Sequence, residues 1–131
     1  MKVYIATSWK NTHTDDVVKA LQRAGHFVYD FRVSAFKWMT SEAIPAERHQ
    51  HHLGRHDAKN AYKLDKQMLE ECDAVVMVLP CGRSAHLELG WAIGMHKKAI
   101  IYMPEPEHLE LMYSGVKITG NLEELVRCVS L

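Results

Sequence analysis

A carboxylate held just inside a helix, behind a turn that carries a guanidinium and a hydroxyl, can bind an anion at one end and attack an electrophile at the other. Glu88 stands in such a place, following Gly82-Arg83-Ser84. The positive end of the helix dipole favours its ionised form, whereas Leu87, Leu89 and Trp91 make drier surroundings that oppose it. Ala85 and Ala92, three and four positions away, share its helical face and leave little bulk between the carboxylate and a ligand. The plain alternative is a surface glutamate near a helix start, and the turn in front of Glu88 weighs against it. Arg83 and Ser84 with the turn amides have the make-up of a small anion site, suited to a phosphate. A solvated arginine beside a simple N-cap is the competing reading.

These residues need a strand behind them. Ala74-Val75-Val76-Met77-Val78-Leu79 is a continuous apolar run rich in β-branched residues, as expected for a parallel strand covered on both faces, and Pro80 ends it. Ser84 is the predicted N-cap of the helix that follows. Lys2 to Thr7 reads as a first strand. Thr12 or Thr14 before Asp15-Asp16 predicts a helix N-cap, and the helix runs to about Ala24 with Gly25 ending it. A second strand is expected over His26 to Phe31, then a long aperiodic insertion from Arg32 to Arg55. A helix from about His56 to Glu71 feeds the central strand. Ala99 to Met103 and Gly115 to Thr119 are further strand candidates, and Asn121 caps a closing amphipathic helix to Val129.

Strands alternating with helices predict an α/β fold: one doubly wound, flavodoxin-like, mostly parallel sheet of about five strands with helices on both faces, forming a single domain over residues 1–131. Such a sheet binds its ligand beyond the carboxyl ends of the strands, where strand order switches. Three loops should meet there: Ser8-Trp9-Lys10, Phe31-Arg32 and Pro80 to Ser84.

Sixteen acidic and sixteen basic residues give no electrostatic footprint for nucleic acid or an anionic membrane, so a small molecule is the expected partner. No apolar run approaches a bilayer span, and the first residues lack the features of a signal peptide, which predicts a cytoplasmic protein. Cys72, Cys81 and Cys128 form no CxxC and are expected as reduced thiols. Cys81 borders the turn, yet no His/Asn constellation points to it as a nucleophile. His49, His51, His52 and His56 raise a metal hypothesis because His52 and His56 have i, i+4 spacing. With no cysteine nearby, a solvated polar loop is preferred, and neither metal nor cofactor is expected. Trp9, Phe36 and Trp38 offer aromatic surface for a base, or satellite packing under the long loop. There is no GxGxxG after the first strand and no P-loop motif. Thr7-Ser8 stands where a response-regulator receiver needs an acidic pair.

Val3-Tyr4-Ile5-Ala6, Tyr-Asp-Phe-Arg at 29–32, Asp65 and, most specifically, Gly-Arg-Ser-Ala-His-Leu-Glu-Leu-Gly at 82–90 together resemble the nucleoside 2-deoxyribosyltransferase-like proteins, which include deoxyribosyltransferases and nucleotide N-glycosidases. The resemblance covers most of the chain. It implies that Glu88 attacks the anomeric carbon and forms a glycosyl-enzyme ester, resolved by a second base or by water. An ionised carboxylate suits the oxocarbenium-like charge of that step. It further implies that Tyr4 orients Glu88, that Asp65 lies near the sugar or base, and that the protein is a homo-oligomer whose Met112 to Asn121 segment faces a neighbour. The expected substrate contacts are Ser8, Trp9, Phe31, Arg32, Trp38, Gly82, Arg83 and Ser84. Gly82 departs from members that carry Asp or Ser there, which leaves proton delivery to Asp65 or His86. A non-catalytic nucleotide sensor and a TIR-like interaction module are the alternatives.

Overall fold

The computed structural model describes residues 1–34 and 43–131. Its first half runs β1 (Lys2–Ala6), α1 (Thr14–Arg23), β2 (Phe27–Tyr29), α2 (Phe31–Ser34), α3 (Ala46–Leu53) and α4 (His56–Glu71). The second half runs β3 (Ala74–Val78), α5 (Arg83–Gly94), β4 (Lys98–Tyr102), a 3₁₀ turn (Leu111–Gly115), β5 (Lys117–Thr119) and α6 (Leu122–Ser130). The five strands form one sheet in the order β2-β1-β3-β4-β5, every pairing parallel.

Alternation along the strands divides the core in two. Val3 and Ile5 of β1, with Val76 and Val78 of β3, join Val17 and Leu21 of α1 and Leu125 and Val129 of α6. Tyr4 and Ala6, with Val75 and Met77, face the other way onto Leu69 of α4 and Ala85, Leu89 and Ala92 of α5. All five residues of β3 are buried, so its unbroken apolar run follows from being covered on both sides. Burying each large aliphatic side chain contributes about 1.5–3 kcal/mol. The doubly wound, flavodoxin-like expectation holds.

Several local expectations give way. The N-cap of α5 is Gly82, whose extended backbone turns the chain into the helix two residues early, and Ser84 lies inside the first turn without capping. Likewise α1 opens at Thr14 behind His13 with no side-chain cap. Gly25 ends it as expected, at φ +91, a conformation that strains any residue with a Cβ. The Arg32–Arg55 insertion contains α3, whose polar sequence buries no residue. Gly54 ends that helix, so His52 and His56 sit on different helices and share no face. Asn121 caps α6 as predicted, its Oδ1 accepting from the Glu124 amide at 2.9 Å.

Lys97 and Lys98 hold the helix ends against the sheet. Lys97 Nζ donates to the carbonyls of Glu70 and Cys72, and Lys98 Nζ to those of Cys128, Val129 and Leu131. Each thus satisfies carbonyls left unpaired where a helix ends. Among the described residues no helix is long and apolar enough to cross a membrane.

Candidate active site

The chain leaves β1 toward β2 on one side, while β3 and its successors build the sheet on the other. A crevice therefore opens at the carboxyl ends of β1 and β3. The loop after β1 is tied to the end of β3. Thr7 Oγ1 donates to the Val78 carbonyl at 2.9 Å, and buried Asn11 donates through Nδ2 to the carbonyls of Val78 and Pro80. Asn11 Oδ1 in turn accepts from the His13 amide at 2.7 Å. Asn11 thus fixes the Pro80 turn from which Gly82 and α5 depart.

A cavity of about 400 Å³ occupies the crevice. Its wall includes Ser8, Trp9, Phe31, Asp65, Gly82, Arg83, Ser84 and Glu88, all expected from sequence. Trp9 and Phe31 meet edge to face, ring centroids 5.2 Å apart. Thr7, Ala85, Leu53 of α3 and Ala58, Ala61 and Tyr62 of α4 complete the wall, so α3 and α4 together supply one side of the site. A second cavity of about 680 Å³ lies between α4 and α5 and shares Tyr62, Asp65, Ser84 and Glu88 with the first.

Behind this wall two phenols meet two carboxylates. Tyr4, fully buried on β1, donates to Glu88 Oε2. Tyr29 stands opposite Tyr4 in the β1–β2 register, and its hydroxyl donates to Asp65 Oδ1 at 2.8 Å. Burial pushes the Glu88 carboxyl up to about 7; the Tyr4 hydrogen bond opposes this and the charge of Asp65 adds to it. Asp65 is likewise raised by burial, against its bond from Tyr29. Burial and the Glu88 charge drive the Tyr4 phenol far above its ordinary value, so it remains a proton-bearing donor. Near neutral pH Glu88 is divided between its two forms, able to act as an anion while sitting beside a second carboxyl.

The remaining expected residues fall elsewhere. Arg32 is absent from the lining of both cavities. Its guanidinium bonds Asp30 through Nε and Nη2, at 2.9 and 2.7 Å, and Asp15 at 2.8 Å, because these carboxylates are within its reach. Trp38 and Phe36 lie outside the described residues. His86 Nε2 pairs with the Tyr113 hydroxyl at 2.6 Å and Nδ1 with the Gly82 carbonyl at 2.8 Å, on the side of α5 away from the Glu88 cavity. Burial, with the charges of Glu107 and Glu88, pushes the Cys81 thiol up to about 11, so it is protonated near neutral pH. Among the described residues no three of His, Cys, Asp and Glu are grouped to hold a metal ion.

Three residues of the site escaped the sequence reading in this role. Tyr29 entered only within the Tyr-Asp-Phe-Arg motif, and Asn11 and Tyr62 were not singled out. Tyr29 had a signal, since strand alternation sets it on the same face as Tyr4 once the two strands pair in register.

The family model for nucleoside 2-deoxyribosyltransferase matches residues 3–123. Among solved structures, a 2-deoxyribosyltransferase from Bacillus psychrosaccharolyticus superposes with a TM-score of 0.75 at 16% identity, covering 96% of this chain and 90% of that one. A CMP N-glycosidase from Clostridium botulinum superposes with a TM-score of 0.62 at 20% identity, covering 100% of both chains. No curated protein sequence matches the chain.

Proposed function

The chain belongs to the nucleoside 2-deoxyribosyltransferase family, and from that premise we propose that it cleaves or exchanges the N-glycosidic bond of a nucleoside or nucleoside monophosphate. One observation carries the reading: Glu88, bonded by a buried phenol and walled into the crevice at the strand-order switch, lies beside a second carboxyl that is also raised. A retaining glycosyl transfer uses such a pair, one carboxyl to attack and one to move the proton.

Ionised Glu88 attacks the anomeric carbon, the bond to the base breaks, and its electron pair leaves with the base. Tyr4 holds the attacking oxygen in line. A proton must reach the departing base, and Asp65 is the better donor of the two considered. It lines the cavity, whereas His86 is engaged with Tyr113 on the other side of α5. Asp65 then accepts a proton from the incoming base or water as the glycosyl ester is resolved. Gly82 supplies no side chain to this step, so the turn contributes backbone only. Exposed Arg83, Ser84 and the first amides of α5 bind a 5′-phosphate, and Trp9 and Phe31 give the base an apolar wall.

Arg32 is committed to Asp30 and Asp15 and takes no part. Exposed Leu109, Leu111 and Met112 leave an apolar segment for a neighbouring copy, as a homo-oligomer requires. Sedimentation showing only monomer would remove that element.

The test is a panel of nucleosides and monophosphates, ribo and deoxy, incubated with and without an acceptor base and resolved by chromatography. Free base marks a hydrolase and a new nucleoside marks a transferase. Glu88→Gln abolishes either product on this reading, and full turnover in that variant would refute it. Gly82, lacking the assisting side chain, favours one second reading, a nucleotide sensor; tight binding with no product from the unaltered protein would establish it.

A further inference from the structure

Tyr4 and Tyr29 are stacked across the β1–β2 pairing with ring centroids 5.3 Å apart and planes inclined by 28°. Each sends its hydroxyl to a carboxylate on a different helix, Tyr4 to Glu88 of α5 and Tyr29 to Asp65 of α4. Glu88 and Asp65 both line the cavity, and neither tyrosine does. The phenols form a floor beneath the carboxyls.

We propose that Tyr29 is a positioning residue for the glycosyl-transfer reaction: its phenol anchors Asp65 Oδ1 and its ring braces Tyr4, so that both carboxyls meet the substrate in one fixed relation. The proposal rests on the reading of Glu88 and Asp65 given above. A buried strand aromatic that only fills volume needs no hydroxyl, and phenylalanine would serve without a polar group to satisfy. The hydroxyl here spans 36 positions of chain to reach its carboxylate. An Asp side chain turns about two bonds, and the anchor leaves Oδ2 for the base.

The same bond limits how weak an acid Asp65 becomes. Burial raises its carboxyl, and a phenol donor favours the ionised form. Among the described residues, Tyr4 of β1 and Glu88 of α5 feel the charge of Asp65, and Arg83 of α5 with Lys66, Glu70 and Tyr62 of its own helix line the same cavities. Tyr29 donates to it and opposes the effect of burial, so its hydroxyl is the natural lever.

Tyr29→Phe retains the ring and removes the oxygen. In steady-state assays kcat should fall on the order of tenfold with KM nearly unchanged, as loss of orientation does. The limb of the pH profile set by Asp65 should move up by about one pH unit. Carboxyl ¹³C NMR of labelled protein, with Asp65 assigned by its loss in Asp65→Asn, should show the same upward displacement without substrate. A fall in activity with both limbs unmoved, or an Asp65 titration identical in Tyr29→Phe and the unaltered protein, would overturn the proposal. Glu88→Gln run alongside separates the two ideas. If it retains turnover, the glycosyl-transfer reading fails and this role with it; if it is inactive while the Asp65 titration stays put, only the role of Tyr29 falls.

Discussion

Val3 and Ile5 point from β1 into a layer closed by α1 and α6 that is almost wholly hydrocarbon, while Tyr4 between them points the opposite way, into a layer that holds Glu88, Asp65 and Tyr29. The strands are the same and their alternation is the same. What differs is the solvation cost each face carries. The α1/α6 face gains from every buried methylene. The α4/α5 face holds two partly buried carboxyls, against a penalty only partly offset by two phenols. One face accumulates stability that offsets what the other loses in partly burying Glu88 and Asp65.

Removing the proposed nucleophile should break the comparison most sharply. Glu88→Ala is expected to lower kcat at least on the order of 10³-fold while the fold persists, checked by single-turnover assay beside circular dichroism. On the opposite face, Leu125→Ala should lose about 2–5 kcal/mol in urea unfolding through the cavity it leaves. Its kcat per folded molecule should hold, and a large kcat change there would mean that the faces are not separable.

The pH dependence of stability follows next. The folded chain holds the Glu88 proton up to about 7, whereas an unfolded chain releases it near 4.5. Between those values the folded state binds more protons, so stability is fully present below 4.5 and lost as pH rises through 7, by up to about 3 kcal/mol. Glu88→Gln should therefore melt above the unaltered protein at pH 8, with the gain vanishing below pH 4.5. Turnover runs the other way, because the proposed attacking form is the anion: kcat/KM should fall about tenfold per unit below pH 7.

Tyr4→Phe sharpens the point further. It leaves the apolar volume and removes the donor to Glu88, so the acid limb should rise by on the order of one pH unit with a tenfold loss at neutral pH. Smallest is Asn121→Ala, which removes the α6 cap and should cost about 1 kcal/mol with no change in the pH profile.

The fold was legible because it is written in local periods. The β3 run, the Gly25 stop and the Asn121 cap each depend on neighbours within a few positions. Glu88 could be singled out from the turn before it. The role of Asp65 came only with the resemblance, since an aspartate on a half-polar helix carries no local mark. The misplaced cap at Ser84 shows the limit of local reasoning: Gly82 enters the helix early, where a cap-forming side chain is not needed. Arg32 was set among the substrate contacts by its loop position and the Tyr-Asp-Phe-Arg segment, and the structure pairs it with Asp30 and Asp15.

By itself the sequence determined which residues are apolar, how they alternate, and where turns and helix starts interrupt them. Those are properties of adjacent residues and their backbone preferences. Only the tertiary structure decided that Tyr4 bonds Glu88 across 84 positions and Tyr29 bonds Asp65 across 36. Such pairings depend on strand order and register, which bring distant side chains to one face. The raised carboxyl of Glu88 follows from the same cause, because desolvation is a property of everything packed around a group and not of the residues beside it in the chain.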